Sequence, residues 1–256
     1  MNRIDQLFST KGQNILSIYF TAGYPALNDT LTVLEALQQS GADMVELGMP
    51  FSDPLADGPV IQESSTRAIA NGMRVSVLFE QLKGFRDRIS IPVILMGYIN
   101  PVLQYGVENF CRDCAATGVD GLILPDLPMD EYENEYRPLF EKYGLHLIFL
   151  VTPETSEARI RKIDGLSKGF VYAVSSSSTT GKNKDIGTQE AYFARLKAMH
   201  LQNPVLIGFN IRDKASFQAA CASSSGAIIG SAFVKAIENS GNLQADITGF
   251  VKGIIA

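Results

Sequence analysis

Eight short runs of apolar, β-branched or aromatic residues recur along the 256-residue chain, each followed by a segment with helical spacing. The runs cover residues 15–20, 43–47, 92–96, 121–124, 146–151, 169–174, 204–209 and 227–229. In the segments between them apolar residues return every three or four positions, as Leu31, Leu34 and Leu37 do. That spacing predicts helices over residues 30–39, 75–88, 107–116, 131–142, 157–164, 189–199, 214–221 and 232–238. Alternating strands and helices call for parallel strands joined by crossover helices. Eight such units predict an α/β fold of the (β/α)8 type, a TIM barrel, with an open doubly wound sheet as the alternative. Glycine follows the helix end at Gly41, Gly118, Gly144 and Gly226, where left-handed C-caps are expected. No linker or composition break divides the chain, so residues 1–256 are expected to form a single domain with extra helices.

Two connections stand apart. The one from residue 47 to residue 92 has room for an additional helix around Pro59–Ala70. The other, residues 175–187, is rich in Ser, Thr, Gly and Lys without apolar period, which predicts a mobile loop. In a barrel both lie at the C-terminal end of the strands, where active sites form. The first follows a strand in which Val45 and Leu47 alternate with Met44 and Glu46. If Val45 and Leu47 face a covering helix, Glu46 points into the barrel. A carboxyl group there holds its proton to unusually high pH. The loop that follows is stiffened by Pro50, Pro54 and Pro59 and carries Asp53 and Asp57. Two carboxylates in unlike surroundings form the pattern from which acid and base roles are assigned. A satisfied buried Glu and ordinary turn aspartates would have the same residue types.

The strands at 204–209 and 227–229 end in small residues, with Gly230-Ser231 leading into the last barrel helix. A helix start after the eighth strand is the usual phosphate cradle of this fold, through free N–H groups and the helix dipole. Thr180-Gly181 could add donors, and Gly181-Lys182 is not a nucleotide-binding P-loop because the upstream glycine is missing. Other classes are disfavoured. Net charge is -5 with scattered cations, against nucleic-acid binding. No apolar run reaches the length of a membrane span, and no signal peptide is expected. Three cysteines, an odd number, argue for a reducing, cytoplasmic setting. Cys111 and Cys114 sit within a helical pattern, and His146 and His200 lack ligand-spaced partners, so no metal site is expected.

The stretch Glu46-Leu-Gly-Met-Pro-Phe-Ser-Asp-Pro-Leu-Ala-Asp-Gly-Pro-Val-Ile-Gln62 closely resembles the signature of the tryptophan synthase alpha subunit family, matching every fixed position. The likeness extends to Tyr19–Pro25, Met96–Pro101, Asp120–Pro128 and Gly226–Val234, and so spans nearly the whole chain. It implies a lyase of tryptophan biosynthesis that splits indole-3-glycerol phosphate into indole and glyceraldehyde 3-phosphate by a retro-aldol reaction. By position Glu46 resembles the family's catalytic acid and Asp57 its second catalytic carboxylate. Tyr19, Ile61, Tyr98, Ile123 and Tyr172 fall at indole-pocket positions, although a plain core role would also suit them. Gly181, Phe209, Asn210, Gly230 and Ser231 fall at phosphate positions. Two departures stand out: Asn210 replaces a usual glycine, and residues 174–181 lack an Arg that many members carry. Asn tolerates the left-handed backbone that the glycine supplies.

The same resemblance implies a beta-subunit partner, in an assembly of two alpha and two beta chains. This chain needs no cofactor, pyridoxal phosphate being expected only in the partner. The proline-stiffened loop 49–58 is the expected docking face, with Phe51 and Leu55 exposed and Pro50 and Asp53 in contact. The alternatives are a stand-alone indole-releasing lyase, a catalytically silent regulatory subunit, and another phosphosugar barrel enzyme such as an isomerase.

Overall fold

A computed structural model describes residues 1–174, 186–208 and 210–256. Within them the strands are β1 (Ile15–Thr21), β2 (Met44–Gly48), β3 (Val93–Met96), β4 (Gly121–Ile123), β5 (His146–Ile148), β6 (Leu150–Val151), β7 (Val171–Val174), β8 (Val205–Gly208) and β9 (Gly226–Ile229). All neighbours are parallel, in the order β5-β4-β3-β2-β1-β9-β8-β7-β6. β5 and β6 are two pieces of the single expected strand 146–151, separated only by Phe149. One piece pairs with β4 and the other with β7, so the two ends of the sheet meet. The result is the expected TIM barrel and not the open sheet.

Alternation along each strand divides the core into two layers. Inward-facing Ile15, Met44, Ile94, Ile123, Leu206 and Ile228 fill the barrel. Outward-facing Ile18, Phe20, Val45 and Leu47 pack beneath the helices, against Leu34 and Leu37 among others. The helix Thr30–Ser40 ends in Gly41 at φ 104°, and Gly118 and Gly144 likewise have positive φ, as their positions predict. Gly226 differs. It belongs to β9, where a side chain would run into the backbone of Ile15, so close strand approach and not capping requires it.

Three helices lie outside the periodic segments identified above. Arg3–Thr10 seals the N-terminal end of the barrel: Ile4 is fully buried and Leu7 and Phe8 pack on the inner cluster. Its N-cap Asn2 accepts from the Ile4 N–H at 2.9 Å. Ile99–Tyr105 follows β3, and Leu243–Ile255 packs against Thr30–Ser40, with Ser40 and Thr248 hydroxyls 3.0 Å apart. The expected helix 75–88 stops at Gln81, and a short 3-10 turn, Phe85–Asp87, follows Gly84 at φ 69°. The expected helix 131–142 contains a π segment, Tyr132–Tyr136, just ahead of Pro138. Proline has no N–H for an i−4 carbonyl, and a wider turn accommodates the missing donor.

Candidate active site

With the bottom of the barrel closed by the N-terminal helix, the open end is where β1 and β2 deliver Tyr19 and Glu46, which are register partners. Gly48 and Gly208 make this end possible, because a side chain on either would collide with the hydroxyl of Tyr19 or Tyr172 respectively. Glu46 points inward, as the alternation predicts, and is fully buried. Its Oε1 accepts a hydrogen bond of 3.0 Å from the Ser17 hydroxyl. Its Oε2 is buried with no hydrogen-bond partner among the described residues. Burial pushes the carboxyl group up from 4.5 to about 8, against the pull of Ser17. At neutral pH this group holds a proton and has one oxygen free to deliver it.

Asp57 lies on the loop after β2, held by its own N–H to the Pro54 carbonyl at 3.0 Å and by Gln62, whose Nε2 donates to the Asp57 carbonyl at 2.9 Å. Tyr98 donates its hydroxyl to Asp57 Oδ2 at 3.0 Å and accepts from the Ala56 N–H at 3.0 Å. Desolvation pushes the Asp57 carboxyl up and the Tyr98 hydrogen bond pulls it down. The aspartate is therefore less solvated than a free loop would leave it, being half-buried. Tyr19 and Tyr172 are both shifted upward by burial and by the nearby charges of Asp57 and Glu46. Each of these two tyrosines therefore lies close enough to both carboxylates to feel their charge.

A narrow cleft, part of it open to solvent, is lined by Tyr19, Met49, Phe51, Asp57, Met96 and Tyr98, among others, and not by Glu46 or Tyr172. Its wall mixes aromatic and thioether side chains with polar groups, Asp57 being its carboxylate, a surface suited to a flat ring bearing one donor. Of the other expected pocket residues, Ile123 is buried in the inner barrel cluster with Tyr172. Ile61, on the helix Pro59–Ala70, belongs to the outer cluster on which Tyr19 packs. Neither lines the cleft itself.

Gly230 is the N-cap of the helix Ser231–Ile237, without a side-chain cap, and Ser231 is exposed. Asn210 has φ 61°, the left-handed backbone that asparagine tolerates. Gly181 and Phe209 lie outside the described residues, as does most of the expected loop 175–187; Ile186 and Gly187 begin the helix Ile186–Ala198. On the loop 49–58, where docking is expected, Leu55 is 89% exposed and Asp53 is exposed. Phe51 is not free as expected: it is half-buried, its ring 5.1 Å from that of Tyr98. Pro50 is half-buried.

Sequence reasoning did not single out Ser17, Met49 or Met96. A hydroxyl within the apolar run Ile15-Leu16-Ser17-Ile18 was the available signal for the first. Among the described residues, no group of three or more His, Cys, Asp or Glu could hold a metal, and Cys111 and Cys114 are buried core residues. No described helix is long and apolar enough to cross a membrane.

Comparison with known proteins agrees with this geometry. Residues 6–251 match the family model described as tryptophan synthase alpha chain. The chain is 56% identical over 240 residues to the tryptophan synthase alpha chain of Parabacteroides distasonis, covering 93% of each. It is 54% identical over 255 residues to that of Flavobacterium psychrophilum, covering 99% of this chain and 100% of the other. The crystal structure of tryptophan synthase subunit alpha from Legionella pneumophila superposes with a TM-score of 0.89 at 33% identity, covering 99% of this chain and 97% of that one. A structure of Mycobacterium tuberculosis tryptophan synthase gives 0.88 at 32%, covering 100% and 99%. With the same barrel and a matching sequence from end to end, this chain belongs to the tryptophan synthase alpha chain family.

Proposed function

We propose that the chain cleaves indole-3-glycerol phosphate to indole and glyceraldehyde 3-phosphate, with Glu46 as acid and Asp57 as the second carboxylate. The observation that carries this reading is Glu46: a buried carboxyl group shifted to about 8, with Oε2 unpartnered among the described residues. The reaction begins with a proton placed on the ring carbon that bears the side chain, and a neutral carboxylic acid can supply it. As the ring gains positive charge its N–H becomes acidic, and the Asp57 carboxylate, a form that the Tyr98 hydrogen bond favours against burial, accepts that hydrogen bond. A glycerol hydroxyl then loses its proton, its carbon becomes a carbonyl, and the carbon–carbon bond breaks. The bonding pair returns to the ring and releases indole. Glu46, charged after its first transfer, is the candidate base for that hydroxyl, so the proton count closes on one residue. Tyr19, Ile61, Tyr98, Ile123 and Tyr172 surround the ring in this reading. Gly181, Phe209, Asn210, Gly230 and Ser231 hold the phosphate. No cofactor enters.

The phosphate assignment makes a specific demand. A Cβ at Gly230 would meet Tyr19 only at 3.5 Å, an ordinary contact, so a side chain there does not break the fold. Gly230→Asp should set a negative charge against the phosphate and raise the Michaelis constant at least about tenfold, with a smaller loss in turnover. An indole-glycerol analogue without phosphate should be nearly indifferent. Equal losses for both substrates would remove Gly230 from the phosphate site.

We further propose that the beta subunit docks on the loop 49–58, through Pro50 and Asp53, in an assembly of two alpha and two beta chains. Leu55, almost fully exposed beside the cleft, supports this, as does the position of Asp57 on the same loop. Contact that fixes the loop would complete the site and exclude water. Indole release by the purified chain should be slow and rise at least about tenfold with saturating beta subunit, roughly 1.4 kcal/mol of barrier. Asp53→Ala should blunt that rise and leave the basal rate near normal. Full basal activity without any response to a beta subunit would instead mark a stand-alone lyase.

A further inference from the structure

Within the apolar filling of the barrel an inward position on β1 carries a small hydroxyl. Ser17 lies between Ile15 and Tyr19 on β1, beside Met44 and Ile228 in the strand register, and is fully buried. A buried hydroxyl in such a layer is costly unless it is hydrogen-bonded. Among the described residues the partner of its side chain is Glu46 Oε1, at 3.0 Å. The geometry has a direction. With Ser17 donating to Oε1, its acceptor among the described residues, the proton of a neutral Glu46 belongs on Oε2. Oε2 is the oxygen left without a partner.

We propose that Ser17 is a positioning residue for proton transfer: its hydroxyl clamps Oε1, fixes the rotamer of Glu46 and assigns the transferable proton to Oε2. This rests on the reading of Glu46 as the proton donor. Without the clamp the carboxyl group can rotate and exchange its oxygens, so the proton is misplaced for part of the time. The clamp also stabilises the charged form, and therefore makes Glu46 a stronger acid than burial alone would leave it. The titratable groups that interact with Glu46 electrostatically are Tyr19 from β1 and Tyr172 from β7. Ser17 touches none of the reacting atoms and acts through the carboxyl group.

The test uses the full chain, with Glu46 followed by carbon-13 NMR of its carboxyl carbon, assigned by loss of the signal in Glu46→Gln. In Ser17→Ala the carboxyl midpoint should move up by about one pH unit, the scale of one hydrogen bond to a charged group. The basic limb of turnover against pH should move with it, and the plateau should fall about tenfold while the Michaelis constant stays within about twofold. Ser17→Thr keeps the hydroxyl and should restore both midpoint and plateau. Should Ser17→Ala not fold, Ser17→Cys fills the site with a much weaker donor and should show the same upward shift. An unchanged midpoint in the hydroxyl-free variant, or a plateau loss that Ser17→Thr does not rescue, would overturn the assignment to Ser17. Both of those outcomes leave Glu46 in place when Glu46→Gln is inactive. Near-normal turnover by Glu46→Gln would instead remove the acid itself, and this inference with it.

Discussion

Glu46→Gln is expected to lose roughly two to four orders of magnitude in turnover while binding substrate almost as well as the parent chain. The amide keeps the shape and still accepts from Ser17, but it can neither release nor regain a carboxyl proton. A folded variant with near-normal cleavage would sink the proposed mechanism. The same substitution has a second, independent signature in stability. Burial raises the Glu46 carboxyl from 4.5 to about 8, so the folded chain binds a proton that the unfolded chain has already lost across that window. The associated stabilisation is present in full below about 4.5 and is lost as pH rises through about 8. Glutamine does not titrate. In thermal unfolding scans the variant should therefore gain on the parent as pH increases between these limits, and the gap should level off above them. A gap that does not change with pH would show that Glu46 is solvated, whatever the kinetics say.

The parts of this molecule legible in the sequence are those set by short-range periodicity. Alternation in Met44-Val45-Glu46-Leu47 places Glu46 inside the barrel without any knowledge of its neighbours, and the same rule sorts Ile18 and Phe20 from Ile15. What escaped the sequence depends on residues far apart in the chain. The Ser17–Glu46 hydrogen bond spans 29 residues and Tyr98–Asp57 spans 41, and no local pattern announces either. Phe51 consequently looked like a free docking residue until Tyr98 from the next strand end met it, and the same tyrosine gives Asp57 a partner that no local pattern shows. The N-terminal helix escaped for a different reason. Ile4, Leu7 and Phe8 form an apolar stripe only two turns long among polar residues, and the barrel end they plug supplies most of its stability.

Asp120 supplies the contrast to Glu46, and its removal is expected to be the most destabilising single change argued here. Both carboxylates are buried, but at opposite ends of the strands and with opposite satisfaction. Asp120, just before β4, receives Arg3 at 2.9 Å, the Val93 N–H at 2.8 Å and a short bond from Arg86. Arg86 in turn donates to the Gly118 carbonyl at 2.9 Å and the Ile91 carbonyl at 2.7 Å, which ties the starts of β3 and β4 together. Desolvation pulls the Arg86 guanidinium down to about 10, opposed by Asp120. Asp120→Ala leaves the half-buried Arg86 cation without its counter-charge and the Val93 N–H without its acceptor, a loss of about 3 kcal/mol. For a chain of this size the unfolding midpoint should fall on the order of 10 °C. Asp120→Asn, which can still accept from Val93, should lie between. Turnover by the protein that remains folded should be close to normal, because the N-terminal ends of barrel strands carry stability and the C-terminal ends carry chemistry. A midpoint within about 2 °C of the parent would mean that the ion network only offsets its own desolvation. A selective loss of turnover at unchanged stability would place Asp120 in communication with the cleft at the far end of the barrel.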